Sequence, residues 1–189
     1  MKALVTGGTG FLGSHVVDLL VARGDQVHVI DDGRTSAVSG FDHTGVTVER
    51  TAVHASDDIF ALDAIFHLAG PVGPVGVIGQ AGHIASDIIR DAKVVAARAM
   101  RNACPLVYVS TSEVYGAQPP GPIREDAPRI VAAGHSARME YAAAKLAAET
   151  MLLNTPGLDV RVIRPFNVAG PRQRPDGGFV LPRFVRQAL

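Results

Sequence analysis

The sequence has little of what marks a secreted, membrane-spanning or nucleic-acid-binding protein. Its one cysteine, Cys104, excludes an internal disulfide and fits a reducing compartment. Lys and Arg together number 18, as do Asp and Glu, so the formal charge is zero and there is no basic excess for a nucleic-acid surface. No apolar run is long enough to cross a bilayer, and residues 1–2 lead straight into a predicted strand without a signal-peptide pattern. We therefore expect a cytoplasmic protein that binds neither nucleic acid nor membrane.

What the sequence does contain is a series of short apolar strands that alternate with helical segments. Its 189 residues, 47% of them hydrophobic, are enough for one domain with a sizeable core. The glycines and prolines concentrate at turns and loops between these segments. This pattern predicts an α/β fold built on a doubly wound parallel sheet. We predict strands over 2–6, 26–30, 46–51, 64–68, 106–109 and 158–163, and helices from the glycines to about 23, over 83–102, 136–153 and 180–189.

The first strand runs into a glycine-rich turn, residues 7–13, which opens an amphipathic helix. Gly7 and Gly10 would let backbone N–H groups approach a pyrophosphate at the positive end of the helix. Gly13 would let the helix pack close to the sheet. The spacing GxxGxxG, between a strand and a helix, is a variant of the dinucleotide-binding fingerprint.

An acidic pair, Asp31 and Asp32, follows the second strand. An acid at this strand end, about 20 residues past the glycines, can accept hydrogen bonds from an adenosine ribose. Its charge would repel a 2′-phosphate, which favours NAD over NADP, although Arg34 nearby leaves NADP open. Alternatively, the two acids are simply turn formers before Gly33.

The fifth strand leads into Ser110–Gly116, and a Tyr–Lys pair, Tyr141 and Lys145, lies on one face of a predicted helix. A phenol is a poor base at neutral pH, but a neighbouring ammonium favours the phenolate and lowers its pKa. Thr111 could orient a substrate oxygen whose proton Tyr141 removes, which makes an acid/base device for oxidising an alcohol. The simpler interpretation is a half-buried Tyr beside a solvated Lys.

The fourth strand ends in small residues at 67–70 that leave room for a cofactor, and the Pro/Gly-rich segment 71–82 is predicted as an ordered loop over cofactor or substrate. His67 is interpreted as a core or loop histidine, because no second His or Cys stands at metal spacing. The remaining histidines are scattered, so we expect no metal site.

With these motifs in place, the chain resembles the extended short-chain dehydrogenases, and more narrowly the nucleotide-sugar epimerases, dehydratases and decarboxylases. The resemblance is carried by TGGTGFLG (6–13), Asp31, HLAG (67–70), STSEVYG (110–116), YAAAK (141–145) and RPFNVAGPRQ (164–173). It implies a Rossmann domain that holds NAD tightly, and a nucleoside-diphosphate sugar substrate that is oxidised first at C4. It also implies a homodimer formed through the helices near 83–102 and 136–154.

The same resemblance assigns roles to individual residues. Tyr141 would be the catalytic base, Lys145 would bind the nicotinamide ribose and tune Tyr141, and Thr111 would bind the C4 oxygen. Asn167 resembles a residue near the substrate diphosphate, and Arg172 lies where such enzymes often contact the nucleotide. The other cofactor contacts implied are Gly7, Gly10, Phe11, Leu12, Asp31, Asp32, Leu68, Ala69 and Pro165, and the other substrate contacts are Ser112 and Arg138.

The subgroup depends on Thr111-Ser112-Glu113. The 4,6-dehydratases usually have Thr-Asp-Glu here, and Ser112 removes the acid expected for water elimination. The triplet with Arg138, three residues before Tyr141, resembles the UDP-glucuronate decarboxylases, in which a C4 ketone makes the sugar a β-keto acid that loses carbon dioxide. Glu113 would assist this step. Related 4-epimerases carry similar triplets, so epimerisation stays open.

The chain departs from the family pattern at three points. The family's smaller carboxyl-terminal substrate domain is largely absent, so we divide the chain into an NAD-binding domain, 1–170, and the start of a substrate-binding region, 171–189. The third strand lacks an acid near the adenine, with Ala52 and Val53 about there. Asp87 stands where the family has an Asn behind the Tyr. Two other classes remain: a NAD(P)-dependent carbonyl reductase, and a non-catalytic dinucleotide-binding protein.

Overall fold

The computed structural model describes residues 1–131 and 134–189 and contains a single parallel sheet of 6 strands. The strand order is β3-β2-β1-β4-β5-β6, so the chain runs outward from β1 in one direction and then returns to continue in the other. All neighbouring strands pair in parallel, and the predicted doubly wound fold is confirmed. The strands are β1 Lys2–Thr6, β2 Gln26–Ile30, β3 Val46–Glu49, β4 Ala64–His67, β5 Leu106–Val109 and β6 Val160–Ile163.

Helices cover both faces of the sheet. One core holds Leu4, Ile65 and Tyr108 from the sheet against α3 and α4, and the other holds Val5 and Val29 against α1. Successive side chains of a strand point to opposite faces, so β1 contributes to both cores. The helices are α1 Phe11–Ala22, α2 Gly73–Ile78, α3 Ile84–Asn102, α4 Ala137–Leu153 and α5 Val180–Ala188, with single 3-10 turns at Val53–Ala55, Ser112–Tyr115 and Pro175–Gly177.

Most predicted segments are present with small changes at their ends. β1 and β2 have the predicted bounds, whereas β3 ends at Glu49 and β6 begins at Val160. Helix α4 begins at Ala137 because the Ser136 side chain accepts a hydrogen bond from the Met139 N–H and so acts as its N-cap.

The prediction of a loop over 71–82 is wrong for Gly73–Ile78, which form α2. Pro74 stands in the first turn, where the missing N–H of proline is not needed and its fixed φ suits a helix. A proline-rich segment therefore contains one short helix, followed by turns that lead into α3.

Helix α5 lies at the surface with an unusual distribution of side chains. Val180, Leu181, Phe184 and Val185 are each more than half exposed, and no residue of this helix is buried.

Over the part of the chain that the structure describes, no helix combines the length and the apolar character needed to cross a membrane.

Candidate active site

The candidate site lies at the carboxyl ends of β1, β4, β5 and β6. Strand order reverses between β1 and β4, and ligands of open α/β sheets bind in the crevice at such a point. The glycine-rich turn follows β1, the small residues 68–70 follow β4, Thr111 follows β5, and Pro165 follows β6. These segments come from distant parts of the sequence, and the parallel sheet brings them to one edge.

The glycine-rich turn, residues 7–13, is packed so closely that it has no room for side chains at two of its glycines, as expected where the backbone approaches a dinucleotide. Gly7 adopts a φ of +71°, and a Cβ there would lie 2.7 Å from the Ala69 nitrogen. A Cβ at Gly13 would lie 2.0 Å from the Gly7 carbonyl oxygen, so only glycine fits. Gly10 is the N-cap of α1 and supplies no capping side chain, which leaves first-turn N–H groups, including those of Phe11 and Leu12, for an anion. This turn fits a pyrophosphate.

Asp31 is buried at the end of β2 and is tied to this turn. Its carboxylate accepts hydrogen bonds from the Thr9 N–H at 2.9 Å and the Gly33 N–H at 2.8 Å. The turn-forming role considered for Asp31 is therefore real. A carboxylate has further acceptor capacity for a ribose, so the two roles are compatible.

Asp32 instead forms a surface ion pair with Arg34 at 2.6 Å. Arg34 also donates to the side-chain oxygen of Gln80 at 3.1 Å, which links the end of β2 to the segment after α2. Arg34 is thus paired with an acid, and a 2′-phosphate would have to compete with Asp32 for it.

Lys145 lies beneath the catalytic candidates and is only 4% exposed. Its Nζ donates to the Val109 carbonyl at 2.9 Å, lies 4.9 Å from the Tyr108 ring centroid and 6.0 Å from that of Tyr141. Burial lowers the pKa of Lys145 to about 8, against the opposing charges of Glu149 and Asp91. The simpler interpretation of a solvated lysine beside a tyrosine is wrong.

The predicted lowering of the Tyr141 pKa is also wrong for this state of the protein. Burial, and then the negative charge of Glu113, raise the pKa of Tyr141 to about 12, and a hydrogen bond with Thr111 opposes them. Spacing on a helix indicates that Lys145 and Tyr141 are neighbours, but it does not show how deeply the phenol is buried. At neutral pH Tyr141 therefore holds its proton until a cation or a substrate changes the site.

The 3-10 turn Ser112–Tyr115, here called the catalytic turn, carries the remaining candidates. Glu113 pairs with Arg138 in the first turn of α4, with 3.1 Å between Oε2 and Nε. The Arg138 side chain is 76% exposed, so a ligand can reach it. The Ser112 N–H donates to the Pro165 carbonyl at 3.1 Å, which joins the catalytic turn to the loop after β6.

The structure separates Asn167 and Arg172 from this group. Asn167 is exposed on the loop after β6, one residue past Phe166, whose ring stacks on Tyr115 with 6.3 Å between centroids. Arg172 pairs with Asp18 of α1 at 2.7 Å, with no contact to the Thr111–Tyr141 group. The expected nucleotide contact by Arg172 would therefore require this ion pair to open.

At two positions where the sequence departs from the family pattern, the structure shows which contacts the substituted residues make. Asp87, which stands at the family's Asn position, pairs with Arg90 one helical turn away. Beyond β3, the expected acid is replaced by a buried Val53, and His54 contacts Asp91 of α3 at 3.1 Å. Burial raises the pKa of Asp91 above its ordinary value, which the hydrogen bond to His54 partly offsets.

Sequence reasoning missed several residues that organise the site. Arg50 donates to the hydroxyls of Thr9 and Ser36 and so ties the segment after β2 to the glycine-rich turn. Glu149 is fully buried on α4 and pairs with Arg164. The sequence did contain a signal for Glu149, which interrupts an apolar helix face four residues after Lys145. It contained no comparable signal for Arg50. In the described residues no group of His, Cys, Asp and Glu could hold a metal ion.

The fold and the turn define a dinucleotide-binding Rossmann domain, and comparison with known proteins narrows this class. The model of the NAD dependent epimerase/dehydratase family matches residues 3–189. The chain belongs to this family, and the prediction of NAD as its cofactor is confirmed.

Individual relatives agree on the chemistry class and differ in reaction. The chain is 32% identical over its full length to a UDP-N-acetyl-alpha-D-glucosaminuronate decarboxylase of Bacillus cytotoxicus, covering 61% of that protein. It is 34% identical to UDP-glucuronic acid decarboxylase 4 of Arabidopsis thaliana, again along the full chain but only 44% of that protein. A solved UDP-N-acetylglucosamine 4-epimerase from Methanobrevibacter ruminantium superposes with a TM-score of 0.86 at 28% identity, over 98% of this chain and 61% of that one. The chain thus spans between 44% and 61% of the length of these relatives.

Proposed function

We propose that this chain is the NAD-binding part of a nucleotide-sugar decarboxylase that acts on UDP-glucuronate through transient oxidation at C4. The observation that carries the reaction type is the exposed Arg138, which faces Glu113 beside Tyr141. A guanidinium at this position can bind the carboxylate of a uronic acid, and a 4-epimerase acting on a neutral sugar has no such group to bind. The names of the two curated relatives support the same reaction.

The residues would divide the work as follows. Thr111 and Tyr141 bind the C4 hydroxyl, and Tyr141 takes its proton while the C4 hydride leaves. Bound NAD⁺ would supply the hydride acceptor at C4 and, in its reduced form, the hydride donor for the last step. The product of oxidation is a 4-ketone β to the C5 carboxylate, so the bond between C5 and the carboxyl carbon breaks with loss of carbon dioxide and its electrons enter an enolate. Reprotonation at C5 and return of the hydride and proton to C4 complete the cycle.

The raised pKa of Tyr141 is compatible with these reaction steps if the cofactor and Lys145 together lower it. The phenol begins protonated, so the site needs positive charge to favour the phenolate. Lys145, whose Nζ lies 6.0 Å from the Tyr141 ring centroid, would supply part of that charge, and bound NAD⁺ would supply more. Water elimination has no comparable support, because Ser112 replaces the acid that a 4,6-dehydratase would use.

The experiment is mass spectrometry of UDP-glucuronate incubated with NAD⁺ and the longest natural form of the protein that contains this chain. Loss of carbon dioxide from the sugar nucleotide is expected, and a Tyr141→Phe variant is the matched control. A product of unchanged mass and altered retention would establish the 4-epimerase instead. Consumption of added NADH would indicate a carbonyl reductase, and no conversion of any nucleotide sugar would indicate a dinucleotide-binding protein.

We further propose that the protein forms a homodimer through α3 and α4. The two helices pack side by side, and α4 is rich in alanine, which permits close approach of a second copy. Met100 and Leu153 are each about half exposed on them. A monomeric mass by light scattering would contradict this arrangement.

A further inference from the structure

Behind the catalytic group lies an ion pair that the proposed reaction does not use. Glu149 is 0% exposed, and its two carboxylate oxygens accept hydrogen bonds from Nε and Nη2 of Arg164 at 2.8–3.1 Å. Such a bidentate ion pair fixes both side chains in one geometry. Arg129 Nε lies 4.0 Å from the same carboxylate. Removal of Glu149 would leave the Arg164 charge without its partner, which is strongly destabilising at a buried position.

Arg164 joins three segments of the site. Its Nη1 donates to the Tyr115 hydroxyl at 2.9 Å and to the Glu125 carbonyl at 3.3 Å, while its guanidinium stands over the Tyr115 ring. Tyr115 ends the catalytic turn, Arg164 begins the loop that carries Pro165, and Glu149 belongs to α4. The pair therefore connects the catalytic turn, the loop that carries Pro165 and the helix that carries Tyr141 and Lys145.

Glu149 also continues a stripe of functional residues along α4. Tyr141, Lys145 and Glu149 follow at four-residue spacing, so they share one face of the helix. Lys145 and Glu149 are both buried, and water does not screen their charges as it would at the surface. Among the charged groups that raise the pKa of the Lys145 amine, the Glu149 carboxylate acts more strongly than Asp91 of α3.

We propose that Glu149 and Arg164 are positioning residues, which fix the helix carrying Lys145 to the catalytic turn and the Pro165 loop, and that the Glu149 carboxylate is the buried anion that favours the protonated Lys145 amine. The other groups around Lys145 either favour its protonated form less strongly than Glu149 or carry no charge. Asp91 of α3 is a weaker second anion, Tyr108 presents its ring, and the pKa of His67 is lowered to about 3 by burial, so its imidazole is neutral. Glu149 is thus the first of the charged neighbours that hold Lys145 in its cationic form.

This inference rests on the role proposed for Lys145 at the cofactor, but its test requires no sugar. The lysines of the chain are Lys2, Lys93 and Lys145, so side-chain NMR of isotope-labelled lysine can follow each amine through a pH titration. Lys145 is expected to titrate near pH 8 in the unaltered protein. Glu149→Gln should move that midpoint down by about 0.5–1 unit and weaken NAD⁺ binding about tenfold.

The matched control is Asp126→Asn, an acid-to-amide change at an exposed ion pair with Arg124. It should leave both the Lys145 midpoint and the NAD⁺ affinity unchanged. If Glu149→Gln does not fold, the double variant Glu149→Met with Arg164→Met replaces the pair by apolar side chains, a change that buried ion pairs often tolerate. A smaller downward shift is expected in it, because the Arg164 cation is removed together with the Glu149 anion.

An unchanged Lys145 midpoint in a folded variant would overturn the inference, because the Glu149 charge would then have no effect on the amine. A shifted midpoint in a protein that converts no nucleotide sugar would support the positioning role while the proposed function failed. The two hypotheses can therefore fail separately.

Discussion

Tyr141 and Lys145 show how burial changes the chemistry of two ordinary side chains. The phenol has its pKa raised to about 12 and the amine has its pKa lowered to about 8, both mainly by loss of water. In the free protein the phenol therefore keeps its proton at neutral pH. For the proposed reaction, a bound cation would have to lower this pKa before Tyr141 could act as the base.

Tyr141→Phe removes the hydroxyl that would take the C4 proton while it keeps the ring in place. We expect kcat to fall by about 10²–10⁴-fold, the usual contribution of a positioned acid or base. The measurement is turnover of UDP-glucuronate together with circular dichroism, which should be unchanged. Near-normal turnover would show that another group moves the proton.

His67 gives a pH prediction with a definite sign. Burial, and then the charge of Lys145, lower the pKa of His67 to about 3 in the folded protein, from 6.5 in the unfolded chain. The unfolded state therefore binds more protons between pH 6.5 and 3, so this histidine's contribution to stability is full above pH 6.5 and is lost as the pH falls through that window. In His67→Gln, the free energy of unfolding should decline less steeply over the same range.

The control for that measurement is His43→Gln at an exposed position, which should follow the unaltered protein. Parallel curves for all proteins in urea titrations from pH 7 to pH 4 would contradict the buried neutral imidazole. The His67 ring contacts the Thr6 hydroxyl at 2.6 Å and stacks on Tyr108, so the glutamine keeps one polar contact and loses the stack.

At the scale of elements, the sequence predicts best what local chemistry determines. β1, β2 and the glycine-rich turn need only an apolar run and the spacing of their glycines, and each is found where predicted. The partners of Arg50 lie 11–41 residues away, and those of Arg164 lie 15–49 residues away. Such contacts depend on the assembled sheet, so sequence spacing does not predict them. The short helix α2 was missed because proline and glycine are also the residues of loops.

The junction between the glycine-rich turn and α1 gives a test at this scale. Gly13→Ala would place a methyl group 2.0 Å from the Gly7 oxygen, so the helix or the turn must move. We expect a loss of at least about 1–3 kcal/mol in unfolding free energy, and loss of NAD⁺ binding. Urea denaturation and calorimetric titration with NAD⁺ measure the two effects.

Gly76→Ala is the matched control, because a Cβ at this helical position meets nothing within 4 Å. Its stability should be equal or higher by up to about 1 kcal/mol, since alanine favours a helix. Equal effects of the two substitutions would show that the close approach at Gly13 is not required.

At the scale of the whole molecule, cofactor binding and folding are linked. The segments that would hold NAD⁺ come from both halves of the sheet, so NAD⁺ should bind the folded state only. At 100 times its dissociation constant it should stabilise the protein by about 2.7 kcal/mol. Thermal unfolding with NAD⁺ and with NADP⁺ measures the preference directly, and NAD⁺ is expected to give the larger shift.

Asp31→Asn tests whether Asp31 sets the preference for NAD⁺ over NADP⁺. The amide keeps an acceptor for the Thr9 N–H but removes the charge that repels a 2′-phosphate. The difference between the NAD⁺ and NADP⁺ shifts should therefore narrow, and Asp32→Asn at the surface pair with Arg34 should change it less. Unchanged shifts for both cofactors in Asp31→Asn would mean that another group reads the ribose.

The strand order also has a consequence for the chain as it is being made. β1 pairs with β2 on one side soon after both are synthesised, but its other neighbour, β4, lies 61 residues further along. At about 5–20 residues per second, the free edge of β1 waits about 3–12 s for that partner. The edge carries Ala3 and Val5 from the centre of the future core, and unpaired apolar edges attract other strands. A nascent chain should therefore bind chaperones until β4 has left the ribosome.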